Sequence, residues 1–317
     1  MNTLDRENKV TREMRMSVVE TLQKLMKEND KVIALEADLG GASGFTKIEK
    51  SNPDRFINVG IAEANMVGVA AGLSVTGFTP FIHSFAPFVT RRVFDQIFLS
   101  GAYAQTTINI YGSDPGFCVG VNGGTHTTWE DVALMRTIPN AIVCDAADDT
   151  QMEWIIKEFS KLEGIHYVRG NRKVVPNVYK KGSTFELGKG NLIKEGKDVL
   201  VVVAGQLVSD ALDAAQMLEK EGISVEVIDM FTIKPIDQEL ILKQVVNKKA
   251  VFTFENHSIT GGLGSAVAEV LADNGIGVNL TRLGVNERFG QVGTPKFLQK
   301  EFKLTAEDLV EAIRDSL

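Results

Sequence analysis

Short, wholly apolar segments alternate with amphipathic helical segments along most of the chain. Val199-Leu200-Val201-Val202-Val203 and Val32-Ile33-Ala34-Leu35 have no polar residue on either face of the strand that each would form. Strands that are apolar on both faces are typical of parallel sheets covered by helices on both sides. The alternation therefore predicts an α/β fold with mostly parallel sheets.

The same pattern predicts where the individual elements lie. Strands are expected at 32–35, 56–59, 81–83, 107–111, 141–144, 166–168, 199–203, 224–228, 251–254 and 278–283. Helices are expected from Met14 onward and at 62–74, 89–103, 130–137, 150–162, 209–221, 264–272 and 306–316. Residues 170–190 are polar and basic and interrupt the alternation. We therefore predict two three-layer α/β domains, residues 1–178 and 191–317, joined by a linker at 179–190.

Composition and charge exclude several kinds of partner and site. The 317 residues carry 34 Lys and Arg against 41 Asp and Glu, a net charge of −7 without a basic block, so we expect no nucleic-acid partner. Cys118 and Cys144 lack the spacing of a disulfide framework or a zinc site, and a reducing cytoplasm is the expected location. The uncharged stretch 64–90 is interrupted by glycines and prolines, so we expect no membrane-spanning helix and no membrane partner.

Familiar catalytic and nucleotide-binding motifs are not found in the sequence. It has no GxxxxGK[ST], no GxSxG and no HExxH, and we predict no metal ligands. The glycine-rich segment 261–265 lies between a predicted strand and a helix, where tight packing is favoured over an anion site. Among the four histidines, His126 lies in an irregular loop after a strand. Ligands of open α/β sheets bind beyond the carboxyl ends of the strands, which makes His126 a candidate.

Glu63 is the most informative charged residue. It is the last charged residue before the 27 uncharged ones at 64–90, and it lies where a strand leads into a helix rich in Ala and Gly. A carboxyl group in apolar surroundings can share a proton with a bound ligand. A glutamate in the first helical turn can instead satisfy helix amides and interact favourably with the helix dipole. Periodicity alone leaves these two explanations open.

Several motifs, in order, resemble those of the transketolase family of thiamine-diphosphate enzymes. They are Gly60-Ile61-Ala62-Glu63, then Pro80-Phe81-Ile82-His83-Ser84-Phe85-Ala86-Pro87-Phe88, Gly124-Thr125-His126, Ile233-Lys234-Pro235-Ile236-Asp237 and Glu255-Asn256-His257 followed by Gly261-Gly262. The resemblance covers essentially the whole chain and implies a pyrimidine-binding domain followed by the family's C-terminal domain. Full-length members begin with a diphosphate-binding domain that carries Gly-Asp-Gly, which this sequence lacks. The chain therefore resembles the C-terminal subunit of a split, two-chain transketolase.

The resemblance implies how the cofactor is held. Glu63 matches the catalytic glutamate that binds a pyrimidine nitrogen of thiamine diphosphate and so helps the cofactor to become reactive. Phe85 and Phe88 match the aromatic residues of the pyrimidine pocket, and Asp38 matches an aspartate on the cofactor side. Mg²⁺ or another divalent cation is expected to be bound mainly by the partner subunit.

The resemblance also implies a substrate site. His126 matches a catalytic histidine near the substrate hydroxyls, Arg169 matches an arginine that binds the sugar phosphate, and Ser43 is a looser match to a phosphate-contacting serine. Two positions depart from the family pattern: Asn122 stands where many members have Asp, and Asp114 stands where they often have His. The departures predict that the substrates differ from the usual pentose phosphate pair.

Transfer of a two-carbon ketol unit from a ketose phosphate to an aldose phosphate is the expected activity. We expect an N-terminal, diphosphate-binding partner subunit and an α2β2 heterotetramer. One alternative is the beta subunit of a 2-oxo acid dehydrogenase decarboxylase component, which shares this two-domain layout. A second alternative is a non-catalytic assembly or regulatory subunit, although Glu63 and the aromatic residues are present.

Overall fold

The computed structural model describes residues 4–7 and 12–317, and within them twelve strands form two sheets. The strands are β1 (Val32–Glu36), β2 (Phe56–Asn58), β3 (Thr79–Phe85), β4 (Ile108–Ser113), β5 (Ile142–Asp145), β6 (Ile165–Gly170), β7 (Asn191–Lys194), β8 (Val199–Val203), β9 (Val225–Asp229), β10 (Thr232–Lys234), β11 (Ala250–Ser258) and β12 (Asn279–Val285).

Twelve α-helical segments cover these sheets in the same described residues. They are α1 (Met14–Glu28), α2 (Gly40–Ser43), α3 (Thr46–Ser51), α4 (Glu63–Val75), α5 (Phe94–Gln96), α6 (Asp131–Thr137), α7 (Asp149–Phe159), α8 (Leu207–Glu219), α9 (Gln238–Gln244), α10 (Leu263–Asp273), α11 (Pro295–Glu301) and α12 (Ala306–Ser316). Shorter 3-10 turns cover Pro53–Arg55, Arg91–Val93 and Gly116–Asn122. Within the described part of the chain, no helix is long and apolar enough to cross a membrane.

The first sheet has the strand order β10-β5-β6-β4-β3-β1-β2. All of its pairings are parallel except that of β10 with β5. Alternate residues of β1 face different layers: Val32 and Ala34 pack into the core that contains α1 and α7, and Ile33 and Leu35 into the core that contains α4. Helices therefore cover both faces, as the doubly apolar strand predicts.

The second sheet has the order β12-β11-β8-β9-β7 and is parallel except for β7. In β8, Val199, Val201 and Val203 pack into the core that contains α8 and α12, whereas Leu200 and Val202 pack into the core that also contains α10. This last core is continuous with the one under α4 of the first sheet. The prediction of two three-layer α/β units with mostly parallel sheets is confirmed.

Several elements differ from the sequence-based expectation, which lacks strand β7 and helices α2, α3, α9 and α11. The helix predicted at 89–103 is broken into the 3-10 turn, α5 and a π-helical segment, Ile97–Tyr103. Apolar periodicity does not distinguish these helix types, because each places a similar stripe against the sheet. Strand β10 was not predicted, and it extends from the second half of the chain to pair with β5 of the first sheet. Three residues are too few to show a periodicity.

Candidate active site

The predicted site residues lie around the carboxyl ends of the parallel strands in the first sheet. Phe85 is the last residue of β3, Asp114 follows β4, and Glu63 begins α4 shortly after β2. Parallel strands end at the same edge of a sheet, which is where α/β folds bind ligands. Asp38 and Asp114 both have positive φ, 59° and 52°. Residues other than glycine rarely adopt this conformation, and such positions cluster at functional sites.

Three rings form an aromatic cluster at this edge: Phe85, Phe88 and His126. The His126 ring centroid lies 5.7 Å from that of Phe85 and 5.1 Å from that of Phe88, and both pairs are edge-to-face. Phe85 and Phe88 are 6.0 Å apart in the same arrangement. The structure thus brings together three residues that are 41 positions apart in sequence at most. Such a cluster offers flat apolar surfaces on which a ring can stack.

Glu63 lies beside this cluster and is held by an arginine. Its side chain is only 5% exposed, and its Oε1 accepts a hydrogen bond of 2.6 Å from Nη1 of Arg92. The guanidinium carbon of Arg92 lies 3.8 Å from the centroid of the Phe88 ring. Glu63 therefore directs its carboxylate across the site towards a cation that is stacked on Phe88. The ion pair with Arg92 is compatible with either explanation of Glu63, and its ligand-binding role stays a prediction.

A second arginine, Arg172, lies on the other phenylalanine of the cluster. Its guanidinium carbon is 4.8 Å from the centroid of the Phe85 ring, and its side chain is 18% exposed. Its Nε donates a hydrogen bond of 2.5 Å to Oδ2 of Asp114, and its backbone N–H donates to Oδ1. Burial raises the pKa of Asp114, and the Arg172 cation opposes that rise. The pair places one cation and one carboxylate beside Phe85.

The Arg169 side chain is buried beside two carboxylates. Its side chain is 1% exposed, and its Nε lies 3.2 Å from Oδ2 of Asp131 and 3.8 Å from Oδ2 of Asp145. Its Nη2 donates a hydrogen bond of 2.8 Å to the carbonyl of Asn256, in the second half of the chain. Its Nη2 is thus committed to a buried carbonyl, whereas Nε faces the two carboxylates without a hydrogen-bond partner among the described residues, and the phosphate-binding role of Arg169 stays a prediction.

Ser43 is likewise turned into the protein. It is fully buried, and its hydroxyl donates a hydrogen bond of 3.1 Å to Oε2 of the buried Glu36 while accepting one from the backbone N–H of Phe45. His83 joins the same group, with Nδ1 3.3 Å from Glu36 and Nε2 2.9 Å from Ser113. The loose match of Ser43 to a phosphate ligand is therefore not supported, since its hydroxyl serves the β1–α2 turn.

Other predicted residues keep side chains that a ligand can approach. Asp38 and Asn122 are exposed, and His126 is half-buried. The Nδ1 of His126 is 3.0 Å from the hydroxyl of Thr125, which fixes the direction of the ring. Gly123 has a φ of 74°, and an added Cβ there would lie 2.6 Å from the Val292 side chain. The loop that carries Asn122 is thus packed against residues of the second half of the chain.

Sequence reasoning missed Arg92 and Arg172. The sequence contains a feature that could have drawn attention to each of them. Arg92 is the second charged residue after the stretch 64–90, and Arg172 lies three residues beyond Arg169, just after the same strand. Choosing between Arg169 and Arg172 requires the direction of each side chain, which the sequence does not provide. In the part of the chain that the structure describes, no group of three or more His, Cys, Asp and Glu side chains is placed to hold a metal ion.

Comparison with protein families identifies both halves of the chain. Residues 11–177 match the model of the transketolase pyrimidine-binding domain, and residues 188–309 match that of the transketolase C-terminal domain. The chain is 42% identical, over 95% of its own length and 94% of the relative's, to the 6-deoxy-6-sulfo-D-fructose transketolase subunit SqwH of Clostridium sp. (strain MSTE9).

A solved structure and a full-length enzyme agree with this relationship. The structure described as a split-gene transketolase, an inactive beta4 tetramer, has a TM-score of 0.89 at 41% identity and covers 96% of this chain and 98% of that one. Human transketolase is 35% identical over 93% of this chain but only 47% of its own length. The chain therefore belongs to the transketolase family, of which it contains the pyrimidine-binding and C-terminal domains.

Proposed function

We propose that this chain is the C-terminal subunit of a two-chain transketolase that transfers a two-carbon ketol unit from a ketose phosphate to an aldose phosphate. The observation that carries the proposal is the position of Glu63, whose nearly buried carboxylate pairs with Arg92 while the guanidinium of Arg92 lies over the ring of Phe88. A general acid or base must be buried enough to be selective and close enough to reach its ligand. Glu63 meets the first condition, since it is 5% exposed, and we propose that it also reaches the cofactor.

The residues present fit the aminopyrimidine half of thiamine diphosphate. The planar guanidinium of Arg92 lies over Phe88 and donates to Glu63, so an apolar ring and a carboxylate acceptor are close together, as a planar group with N–H donors requires. When bound, thiamine diphosphate supplies the electron sink for cleaving a carbon–carbon bond beside a carbonyl. Glu63 would hold the pyrimidine through a hydrogen bond, and Phe85 and Phe88 would line its pocket. Asp38, exposed at the end of β1, stays a proposed cofactor contact.

The diphosphate and its divalent cation are assigned to the partner subunit. The sequence lacks the Gly-Asp-Gly motif that the resemblance associates with this task, and burying an unpaired diphosphate charge is strongly unfavourable. We propose an N-terminal partner subunit and an α2β2 assembly in the cytoplasm.

His126, Asn122 and Arg172 are the side chains that we propose for substrate recognition. His126 is positioned by Thr125 beside the aromatic cluster, and Arg172 takes the role that sequence reasoning gave to Arg169. Asp114 acts on the substrate through Arg172, because it holds two of that residue's N–H groups. A guanidinium suits a phosphate or sulfonate because it offers several donors in one plane.

The Asp114–Arg172 pair favours a second candidate substrate. Asp114 offsets the charge of Arg172, so the pair offers less net positive charge than an arginine next to a histidine. A sulfonate carries one negative charge, whereas a phosphate monoester carries about 1.5 to 2 at neutral pH. The name of the Clostridium relative gives 6-deoxy-6-sulfo-D-fructose as its sugar. A ketose with a terminal sulfonate is therefore the second donor to test.

The test is reconstitution with the partner encoded by a neighbouring frame that carries Gly-Asp-Gly. The complex is given thiamine diphosphate, Mg²⁺, an aldose phosphate acceptor, and either a ketose phosphate or 6-deoxy-6-sulfo-D-fructose. Ketol transfer that is lost in Glu63→Gln supports the proposal. Turnover of pyruvate with an artificial electron acceptor, without ketol transfer, would instead identify a 2-oxo acid dehydrogenase component. Activity that is independent of Glu63 would indicate an assembly or regulatory subunit.

A further inference from the structure

Arg92 contacts Glu63 and Phe88 in the way that a bound ligand would, with a hydrogen bond to the carboxylate and a planar group over the ring. The guanidinium carbon lies over the Phe88 ring, 3.8 Å from its centroid, and Nη1 donates to the Glu63 carboxylate at 2.6 Å. An aminopyrimidine offers the same two features, a planar π-face for stacking and polar nitrogens at its edge. The Arg92 side chain and a pyrimidine therefore compete for the same ring face and the same carboxylate oxygen.

We propose that Arg92 occupies the pyrimidine slot in the cofactor-free chain and has to leave it before the cofactor binds, so that this residue sets cofactor affinity. The inference rests on the proposed function, since it takes Glu63 and Phe88 as the pyrimidine site. A protein whose binding-competent state is only partly populated binds its ligand more weakly by that fraction. While Arg92 contacts Glu63 and Phe88, the cofactor cannot bind, so this contact lowers the fraction of the chain that is able to bind it.

The backbone around Arg92 is fixed, but its side chain can leave. The Arg92 N–H donates to the carbonyl of Pro87 at 3.1 Å, and the Thr90 hydroxyl donates to the carbonyl of Ala86 at 2.6 Å. The side chain itself is 45% exposed. Its guanidinium can therefore turn into water and be solvated there without any change in the fold. Glu63, at 5% exposed, stays in place and becomes available to a new donor.

The preceding residue is a matched control. Arg91 belongs to the same 3-10 turn, and its side chain is 50% exposed. Its guanidinium forms an ion pair with Glu130 at 2.5 Å instead of with Glu63. Replacing Arg91 removes the same charge and an ion pair with a more exposed carboxylate, but does not touch the contact between Arg92, Glu63 and Phe88. Any effect of net charge alone is thus shared by the two variants.

The experiment measures binding of the aminopyrimidine part of the cofactor to the chain by calorimetry. The probe is 4-amino-5-hydroxymethyl-2-methylpyrimidine, which needs neither the diphosphate site nor the metal. We expect Arg92→Ala to bind the probe about fivefold or more tightly than the unaltered chain, as releasing a contact of modest strength shifts an equilibrium by that order. Arg91→Ala should bind like the unaltered chain. Arg92→Met, which keeps the apolar stem, should reproduce the tightening if the alanine variant is poorly folded.

A competition step tests the occupancy directly. In Arg92→Ala, guanidinium chloride at a non-denaturing concentration should weaken binding of the probe more than sodium chloride of equal ionic strength. Equal or weaker binding in both Arg92 variants overturns the inference, and the cofactor site still stands if Glu63→Gln reduces binding of the probe. Absence of binding in every variant overturns the pyrimidine site itself, and with it the proposed function.

Discussion

At the scale of single residues, two arginines three positions apart have opposite environments. Arg169 is enclosed by Asp131, Asp145 and a backbone carbonyl, whereas Arg172 is partly exposed over Phe85. A buried ion pair that loses one partner leaves an uncompensated charge, which is strongly unfavourable. A partly exposed arginine that binds a ligand contributes to affinity instead. Replacing Arg169 should therefore mainly lower stability, whereas replacing Arg172 should mainly weaken substrate binding.

Arg169→Ala should destabilise the chain more than Arg172→Ala, because it takes the cation from two buried carboxylates instead of one. We expect the first variant to lower the free energy of unfolding by about 3–5 kcal/mol, because Asp131 and Asp145 lose their cation. The second should raise the KM for a sugar with a terminal anion. The expected loss of binding free energy is about 1.5–3 kcal/mol, the value of a charge-assisted hydrogen bond. Denaturant unfolding and steady-state kinetics of the reconstituted enzyme check the pair. Equal loss of stability in both variants would assign Arg172 a structural role.

Glu63→Gln tests the acid–base function at the same scale. Glutamine keeps the shape and the hydrogen-bonding oxygen but cannot take up or release the proton, so we expect exchange of the cofactor's thiazolium proton to slow by about 10²–10⁴-fold. The measurement is hydrogen–deuterium exchange of thiamine diphosphate in the reconstituted complex, followed by NMR. Glu130→Gln serves as the control, since Glu130 pairs with the exposed Arg91. A rate near that of the unaltered enzyme would sink the assignment.

At the scale of elements, the sequence predicts what is periodic and misses what depends on tertiary contacts. β1, β8 and α12 were predicted to within a residue or two because burial on both faces or along one stripe shows in the residue pattern. The strand β10 forms only because β5 offers it a free edge. In the candidate site, Glu63 is singled out by the long uncharged stretch beside it, and its role is predicted from the family resemblance. Arg92 is missed because its contacts with Glu63 and Phe88 depend on the direction of its side chain in a 3-10 turn, which the sequence does not show.

Asp148 shows how a helix cap can also position a distant segment. It is the N-cap of α7, where Oδ1 accepts from the N–H of Gln151, and its Oδ2 accepts from the N–H groups of Val178 and Tyr179 at 2.9 and 2.7 Å. An ordinary cap such as Thr305 of α12 is bonded within its own capping box. Asp148 thus joins the helix to the segment that leads into the second half of the chain.

Asp148→Ala should therefore be more destabilising than Thr305→Ala. Loss of a cap costs about 1 kcal/mol, and two further buried N–H groups without partners add about 1–3 kcal/mol each. We expect about 1 kcal/mol for Thr305→Ala and at least twice that for Asp148→Ala. Chemical denaturation of both variants provides the comparison. Similar values would mean that water replaces Asp148 at the backbone of Val178 and Tyr179.

At the scale of the whole molecule, a buried carboxyl group joins the two halves of the chain. Asp229 ends β9, and its Oδ2 accepts hydrogen bonds from Nε2 of Gln151 in α7 at 2.8 Å and from the hydroxyl of Tyr179 at 2.6 Å. Considering the described residues alone, its other oxygen, Oδ1, lacks a hydrogen-bond partner. Burial raises the pKa of Asp229 to about 7, although the bonds from Tyr179 and Gln151 oppose the rise. The junction therefore holds a group that titrates near neutral pH.

This titration gives stability a pH dependence of known sign. An aspartate in the unfolded chain titrates near pH 4, so the folded chain binds this proton more tightly. The resulting stabilisation is complete below about pH 4 and is lost as the pH rises through about 7. Asp145 and Glu255 are also buried and Asp210 is half-buried, and desolvation raises their pKa values to about 6, 7 and 7, respectively. Each of these groups adds its own contribution to the decrease of stability with rising pH.

Asp229→Asn should remove the part of the slope that belongs to the junction. Asparagine keeps an acceptor for Gln151 and Tyr179 but cannot ionise. The free energy of unfolding of the variant, relative to that of the unaltered chain, should therefore increase between pH 5 and pH 8 by on the order of 2 kcal/mol. The measurement is urea unfolding at a series of pH values. Asp54→Asn, at an exposed position before β2, is the control and should run parallel to the unaltered chain. A parallel profile for Asp229→Asn as well would show that Asp229 keeps its charge when buried and that Gln151 and Tyr179 stabilise it sufficiently.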